Sequence, residues 1–395
     1  MSNTVLTPTA VTREALRILH QKLNFIGNID RQYDDSFANT GAKIGSQLKV
    51  RLPNEYTVRT GAPIAVQDST ETSETITMAT QKGVDVEFSS ADLTTDLDDF
   101  GSRVLNPMMS VLAANIESDA LSMYKDVYNQ VNNVGSASTF GKILAGRKIL
   151  VDNLAGSTGL KINLDTQTNV DMVDSLKGLY QDSSSIAKQY REGLLGRTSG
   201  FDFFENTLMP RHTTGSDDGT GDYLCDSATA QTGSTLTIDT GTGTWKKGDV
   251  FTIAGVNRVK PETKEDTGNL QQFVVTADAA ASATSLSFSP AIVATGARQN
   301  VSNGAANNQA LTKVGGASAV HDISLGYRKD AFAFVSADLR MPRGVDFAAR
   351  EVMDGISMRI VSDYDINNDL FPTRIDVLYG FKTLRASQAV RFANN

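Results

Sequence analysis

The chain has 395 residues, 40% of them hydrophobic and 21% charged, with a formal net charge of −8 at pH 7, a balance ordinary for a globular protein of two or three domains. Lys and Arg are dispersed rather than clustered, which with the net charge argues against sequence-independent nucleic-acid binding as the main task, since that relies on grouped cations neutralising phosphates. The single cysteine, Cys225, excludes an internal disulfide and any multi-cysteine metal site.

No stretch approaches the ~20 apolar residues that cross a bilayer. The opening "MSNTVLTPTAVTREALRIL" has no basic region followed by an apolar core, so neither a membrane partner nor a secretory signal is expected. Thr7 to Leu23 predicts the first helix, with Val11, Ala15, Ile18 and Leu19 on one face and Pro8 in its first turn. From Gly41 to Ser90 the period falls to two. "QLKVRL" aligns Leu48, Val50 and Leu52, while "TITMAT" and "VDVEFS" align Ile76/Met78 and Val84/Val86/Phe88 around the polar "VQDSTETSE". This predicts a long two-stranded excursion with a weakly packed tip, marginal unless it packs against something else.

The strongest helical signal follows, with Leu105, Met108, Leu112, Ile116, Ala120, Met123 and Val127 at three- and four-residue spacing. A start at Asn106-Pro107 gives a helix of roughly 36 Å; an earlier start near Asp98 would leave Pro107 as a kink. "GKILAGRKILVDN" then reads as helix, "LKINLDT" as strand and "VDMVDSLKGLYQD" as helix. After Pro210 the composition shifts to Gly, Ser, Thr and Ala. "STLTIDT", "VFTIA", "QQFVVTA" and "TSLSFSP" make a small antiparallel β-domain, ending in the loop-like "ATGARQNVSNGAANNQ". An α+β pattern resumes beyond it, so the β-domain is expected to be inserted between two halves of another domain.

Chemistry-bearing motifs are weak. His20, His212 and His321 lie far apart with no partner at metal-ligand spacing, and a structural role is expected for each. "GLLGRTSG", with Gly193, Gly196 and Gly200, lacks the ending of a phosphate-binding loop, and no Gly-x-Ser-x-Gly elbow occurs. Asp363, Asp365, Asn367 and Asp369 mimic the early ligands of a calcium loop. Asn368 stands where that loop needs Gly and Arg374 where it needs Glu, so a turn between strands is expected. Asp217, Asp218 and Asp222 form a loop of similarly low metal specificity. Asp92, Asp96, Asp98 and Asp99 precede the long helix, where carboxylates face its positive end. Trp245, Lys246 and Lys247 could stack on and neutralise a single strand, but one Trp and two lysines make a thin platform. No catalytic, cofactor or metal residues are assigned, and no enzyme is expected.

The order of these pieces resembles the HK97-like major capsid proteins of tailed phages. "VDVEFSSADLTTDLDDFGSRVLNPMMSVLAANIESDALSMY" is similar to the return strand of that family's ribbon leading into its spine helix, and "ISMRIVSDYDINNDLFPTRIDVLYGFKTLRASQAVRF" to its closing strands. "TGTWKKGDVFTIAGVNRV" with "FVVTADAAASATSLSFSPAIV" resembles the inserted barrel of the P-twenty-two-type coat proteins of short-tailed phages. The resemblance implies an α+β, HK97-like capsid fold with an inserted small β-barrel. Its parts would be an N-terminal arm over 1–40, an E-loop β-ribbon over 41–90, and the spine helix, P-domain and first part of the A-domain over 91–222. The inserted barrel would cover 223–315, and the rest of the A- and P-domains 316–395.

It further implies a shell subunit that self-assembles as hexamers and pentamers around the phage genome, in the virion after assembly in the host cytoplasm. Implied partners are other copies, a separate scaffolding protein, a portal protein at one vertex and double-stranded DNA enclosed without specific binding. Candidate inter-subunit contacts are Arg17 on the arm, Arg59, Pro63 and Asp68 on the ribbon tip, and Lys246 and Lys247 on the barrel. Covalent crosslinking has no assignable residues: Lys43 and Lys49 lie near the ribbon without a matching acceptor. An encapsulin-like compartment shell shares the fold, and an acidic multi-domain binding protein or hydrolase is the alternative from another class.

Overall fold

The computed structural model describes residues 8–34, 47–59, 61, 62, 64, 66, 67, 71–89, 106–176, 197–217, 223–353 and 355–394. The chain divides into two compact units. The first comprises Met1–Arg51, Ser73–Ala120 and Phe332–Leu384. Its six-stranded sheet runs in the order Asp30–Asp34, Phe332–Ala337, Leu370–Thr383, Ile356–Ser362, Phe347–Met353, with Thr80–Ser89 also paired to Leu370–Thr383. "FAFVSA" is buried along its whole length, as suits an interior strand covered on both faces.

The first helix, Pro8–Lys22, buries Ala15, Leu16, Ile18 and Leu19 and packs on Phe347–Met353 and Ile356–Ser362. Its apolar stripe is thereby consumed by its own sheet, while Arg17, the candidate contact on this helix, lies on the exposed face.

The long helix, Asn106–Leu121, is 16 residues and hence roughly 24 Å. It tightens into a 3-10 turn over Ser122–Asp126, which is why it falls short of the 36 Å expected from continuous periodicity. Met109, Leu112, Ala113, Ile116 and Ala120 form its buried stripe, and Glu117 lies inside that stripe at 1% exposure. The Glu117 carboxylate accepts the backbone N–H groups of Asn24 at 3.0 Å and Phe25 at 2.6 Å. It thereby satisfies donors that would otherwise be orphaned at the start of the 3-10 turn Ile26–Asn28.

Among the described residues the paired part of the ribbon is short. Gln47–Leu52 pairs with Thr72–Thr77 as an isolated two-stranded sheet, with Leu48, Val50, Ile76 and Met78 packed on Ala333, Val335 and Ala337. Thr80–Ser89 is not the ribbon's return strand. Its backbone is paired over ten residues with the closing strand, from Thr80 opposite Tyr379 to Ser89 opposite Leu370.

The second unit comprises Leu52–Thr72, Leu121–Ala331 and Arg385–Asn395. One seven-stranded sheet has the order Gln130–Asn132, Ala389–Asn394, Val320–Arg328, Leu160–Leu164, Phe201–Glu205, Arg197–Thr198, with Arg211–Thr213 also on Val320–Arg328. The helix Phe140–Asp152 covers one face, burying Ile143 and Leu150 against Leu160, Ile162 and Phe392.

The Gly- and Thr-rich strands form a second sheet in the order Leu224–Cys225, Gly233–Asp239, Ser285–Ile292, Asp266–Val275, Val250–Val259, Leu311–Val314. This sheet closes on itself. Leu224 bridges Ala310, the Leu311 N–H donates to Tyr223 O at 3.0 Å, and the Cys225 N–H donates to Gln309 O at 2.9 Å. Closure removes the unpaired edges that a six-stranded sheet would otherwise present. Trp245, Phe251, Ile253, Phe273 and Phe288 fill the interior, with Phe273 and Phe288 edge-to-face at 5.2 Å between ring centroids. Cys225 is buried among them and its thiol is pushed up to about 11 by burial, so it is an inert core residue.

Candidate assembly surfaces and a buried polar joint

The expected contact residues fall in three places. Arg17 is exposed on the first helix and forms an ion pair with Glu14 at 2.5 Å. Arg59 is exposed in the segment beyond the ribbon strands, where its guanidinium donates to Gly61 O; Pro63 and Asp68 lie outside the described residues. Around Arg59 the exposed side chains are apolar: Tyr56 59%, Val58 93%, Ile64 84% and Val66 88% exposed. The sequence marks only "VQDSTETSE" here as polar, and the exposed Tyr56, Val58 and Ile64 before it carry no periodic signal because single apolar residues stand between polar ones. The same segment reaches the barrel loops through Glu55 to Lys264 at 3.7 Å and Thr72 to Arg298 at 3.2 Å. Lys246 and Lys247 have exposed side chains, while their backbone N–H groups donate to Asp249 at 3.0 Å and Asp278 at 2.6 Å. Trp245, their neighbour, is sealed in the barrel core and offers no stacking platform.

The Asp363–Asp369 stretch is a turn between strands. The Asp365 carboxylate accepts the Asn367 N–H at 2.9 Å and the Asn368 amide at 2.8 Å, and the Tyr364 hydroxyl donates to Asp369 at 3.0 Å. The Asn368 hydrogen bond holds Asp365 below the usual carboxylate range. Among the described residues no three His, Cys, Asp or Glu groups converge as a metal site. Asp92, Asp96, Asp98, Asp99, Asp218, Asp222, Gly193, Gly196 and Lys43 lie outside the described residues, and Lys49 is exposed on its strand.

Sequence reading did not find the polar cluster inside the second unit. His212 and His321, 109 positions apart by subtraction of their numbers, are direct register partners on adjacent strands, with ring centroids 5.5 Å apart. His212 Nε2 lies 2.9 Å from Asp249 Oδ1, and the Tyr124 hydroxyl 3.1 Å from His212 Nδ1. A carboxylate only accepts, so Nε2 carries the proton and Nδ1 accepts from the tyrosine. Asp249 Oδ2 accepts the N–H groups of Gly215 and Lys246, each at 3.0 Å, with the Lys313 ammonium at 3.5 Å. Lys313 also donates to Gly215 O at 3.0 Å and Asp217 O at 3.1 Å and lies 4.5 Å from the Trp245 ring centroid. The Arg391 guanidinium donates to Gly248 O.

Burial holds His212 below its ordinary value despite the Asp249 hydrogen bond, and burial takes His321 down to about 4. Both rings are therefore neutral at pH 7. Burial alone would raise Asp249; the hydrogen bonds from His212, Lys246 and Gly215 and the Lys313 charge outweigh it and keep the carboxylate ionised. Tyr124, His212, Asp249, Lys313 and Arg391 are all buried. The chain of groups has the connectivity of a proton relay but presents none of it at the surface. It acts as a fastening between the barrel and the seven-stranded sheet. In the sequence, Gly248-Asp249 carries only the local signal of a turn. The available sequence signal was parity: Lys313 shares a face with Leu311 in "LTKV", and Arg391 sits in the apolar "AVRFA".

Residues 225–391 match the P22 coat protein family, gene protein 5. No curated protein sequence matches the chain. Similar solved structures include the capsid of cyanophage P-SCSP1u (10% identity, TM-score 0.49, 93% of this chain and 86% of that one) and the mature capsid of bacteriophage PhiM1 (11% identity, TM-score 0.49, 94% and 87%). Another is that of Mycobacterium phage Che8 (12% identity, TM-score 0.47, 88% and 84%). With TM-scores below 0.5, these likenesses leave the identification resting on the family match. That match spans less than half of the chain and supports its reading as a tailed-phage major capsid protein of the α+β, HK97-like kind, a subunit of the icosahedral shell in the virion. Its 225–391 stretch, which holds the closed barrel and the closing strands, is of the P22 coat protein kind.

Proposed function

We propose that copies of this chain assemble as hexamers and pentamers, using the segment beyond the ribbon strands as the principal contact with a neighbouring copy. The supporting observation is the exposure of Tyr56, Val58, Ile64 and Val66 together on one segment. Burying a Val or Ile side chain is worth about 1.5–3 kcal/mol, so each such contact is weak alone and sufficient when repeated around a shell. Arg59, Pro63 and Asp68 accompany that apolar patch; Arg17, Lys246 and Lys247 are assigned to lesser contacts. The 223–315 stretch acts as an inserted folding and assembly domain, a role supported by its closed barrel and private core. A separate scaffolding protein directs assembly, a portal occupies one vertex, and duplex DNA is enclosed without being gripped. The chain carries out no catalysis.

Electron microscopy of the chain co-expressed with its scaffolding protein tests this. The full chain is expected to give closed icosahedral shells, and deletion of Arg59 to Thr72 a folded subunit that forms none. Normal shells from the deletion would overturn the assignment of the tip.

A further inference from the structure

We infer that Arg391, Gln130 and His321 form an internal site for a small monovalent anion of the halide type. Arg391 is 1% exposed, yet its Nε and Nη1 have no hydrogen-bond partner; only its link to Gly248 O is made. Gln130 is its Cα partner on the parallel neighbouring strand, so both side chains leave the same face of the sheet. The Gln130 side-chain amide is buried with neither atom partnered, and so are both ring nitrogens of His321. These two meet beside Gly315: a Cβ built there would lie 3.6 Å from Gln130 Nε2 and 3.9 Å from His321 Cε1. Gly315 itself sits at φ +107°, a backbone conformation that strains any residue with a side chain.

Charge decides between an anion and water. A buried guanidinium without a counter-charge costs several kcal/mol. Asp249 is the acid whose charge Arg391 feels, but its oxygens are committed to His212, Gly215, Lys246 and Lys313. Burial accordingly drags Arg391 down to about 10. The unpartnered groups supply N–H donors from a guanidinium, an amide and an imidazole, which suits a spherical anion. Each of these polar atoms is sealed from solvent, which favours an anion that needs no solvent-facing mouth. The bound anion completes the joint around Tyr124, His212 and Asp249.

The test uses the full chain at constant ionic strength and pH 8, with gluconate replaced stepwise by bromide. Bromide is expected to raise the unfolding midpoint in step with the logarithm of its concentration above Kd, a hundredfold excess over Kd shifting the folded-to-unfolded ratio by about 100-fold. Bromine anomalous density is expected beside Arg391 in crystals grown with bromide. Arg391→Met should abolish the response. Should that variant not fold, Gln130→Leu and His321→Asn are each expected to weaken bromide binding by about tenfold. No stabilisation of the wild type by bromide, an undiminished response in every one of these variants, or water alone in the density beside Arg391 would overturn the site.

Discussion

At residue 321 an imidazole is held neutral inside the protein, and acid favours unfolding because the exposed imidazole takes up a proton that the buried one does not. Facing it are His212, Arg391, Asp249 and Asp322; burial is the largest influence, and the first two cations-in-waiting or cations reinforce it against the two carboxylates. A base whose folded value is depressed binds more protons when unfolded, so stability is complete above about pH 6.5 and declines as pH falls toward about 4. His321 alone accounts for about 3 kcal/mol of that decline. Urea unfolding in halide-free buffer across this window is expected to show the loss, and His321→Asn to flatten it. An equally steep profile in the variant would assign the effect elsewhere. The histidines were legible in the sequence as structural residues, but their pairing was not. Nothing local marks His212 and His321 as register partners; two strands meeting in one sheet do.

Among the elements, the barrel was the most legible, because alternating strands between Gly- and Thr-rich turns carry their period in the chain itself. Its closure was not, since the Leu224–Ala310 bridge joins ends separated by the whole domain. Where the barrel meets the incoming chain, two backbones run nearly in contact: the Asp217 N–H donates to Thr244 O at 3.2 Å. A Cβ on Gly243 would strike the Asp217 backbone, a group that has no rotamer with which to yield. Gly243→Ala is expected to destabilise the chain by about 1–3 kcal/mol, whereas Thr242→Ala, on the exposed neighbour, should stay within about 0.5 kcal/mol; chemical denaturation compares them. The helix Asn106–Leu121 shows the converse. Its apolar stripe was readable, but Glu117 within the stripe is explained only by Asn24 and Phe25, far away in sequence, whose N–H groups it accepts.

On the scale of the whole molecule, an acidic chain with a sequence pI of about 5.1 is expected to repel duplex DNA more than hold it, having few clustered cations with which to release counterions. Gel retardation with the purified full chain is expected to show no retained duplex at about 150 mM salt; tight binding with a steep salt dependence would contradict this. Composition, the absence of a catalytic signature, the order of ribbon, helix, mixed domain and barrel, and the resemblance to capsid proteins were all present in the sequence. Periodicity and composition are properties of neighbours along the chain, and they survive without a fold. Tertiary structure alone decided that Thr80–Ser89 joins the closing strand instead of the ribbon, that the first helix is spent on its own sheet, and that Asp249 anchors a buried joint. Each of those depends on which strand supplies the missing hydrogen bonds and which apolar face reaches a partner first, and no local pattern specifies either.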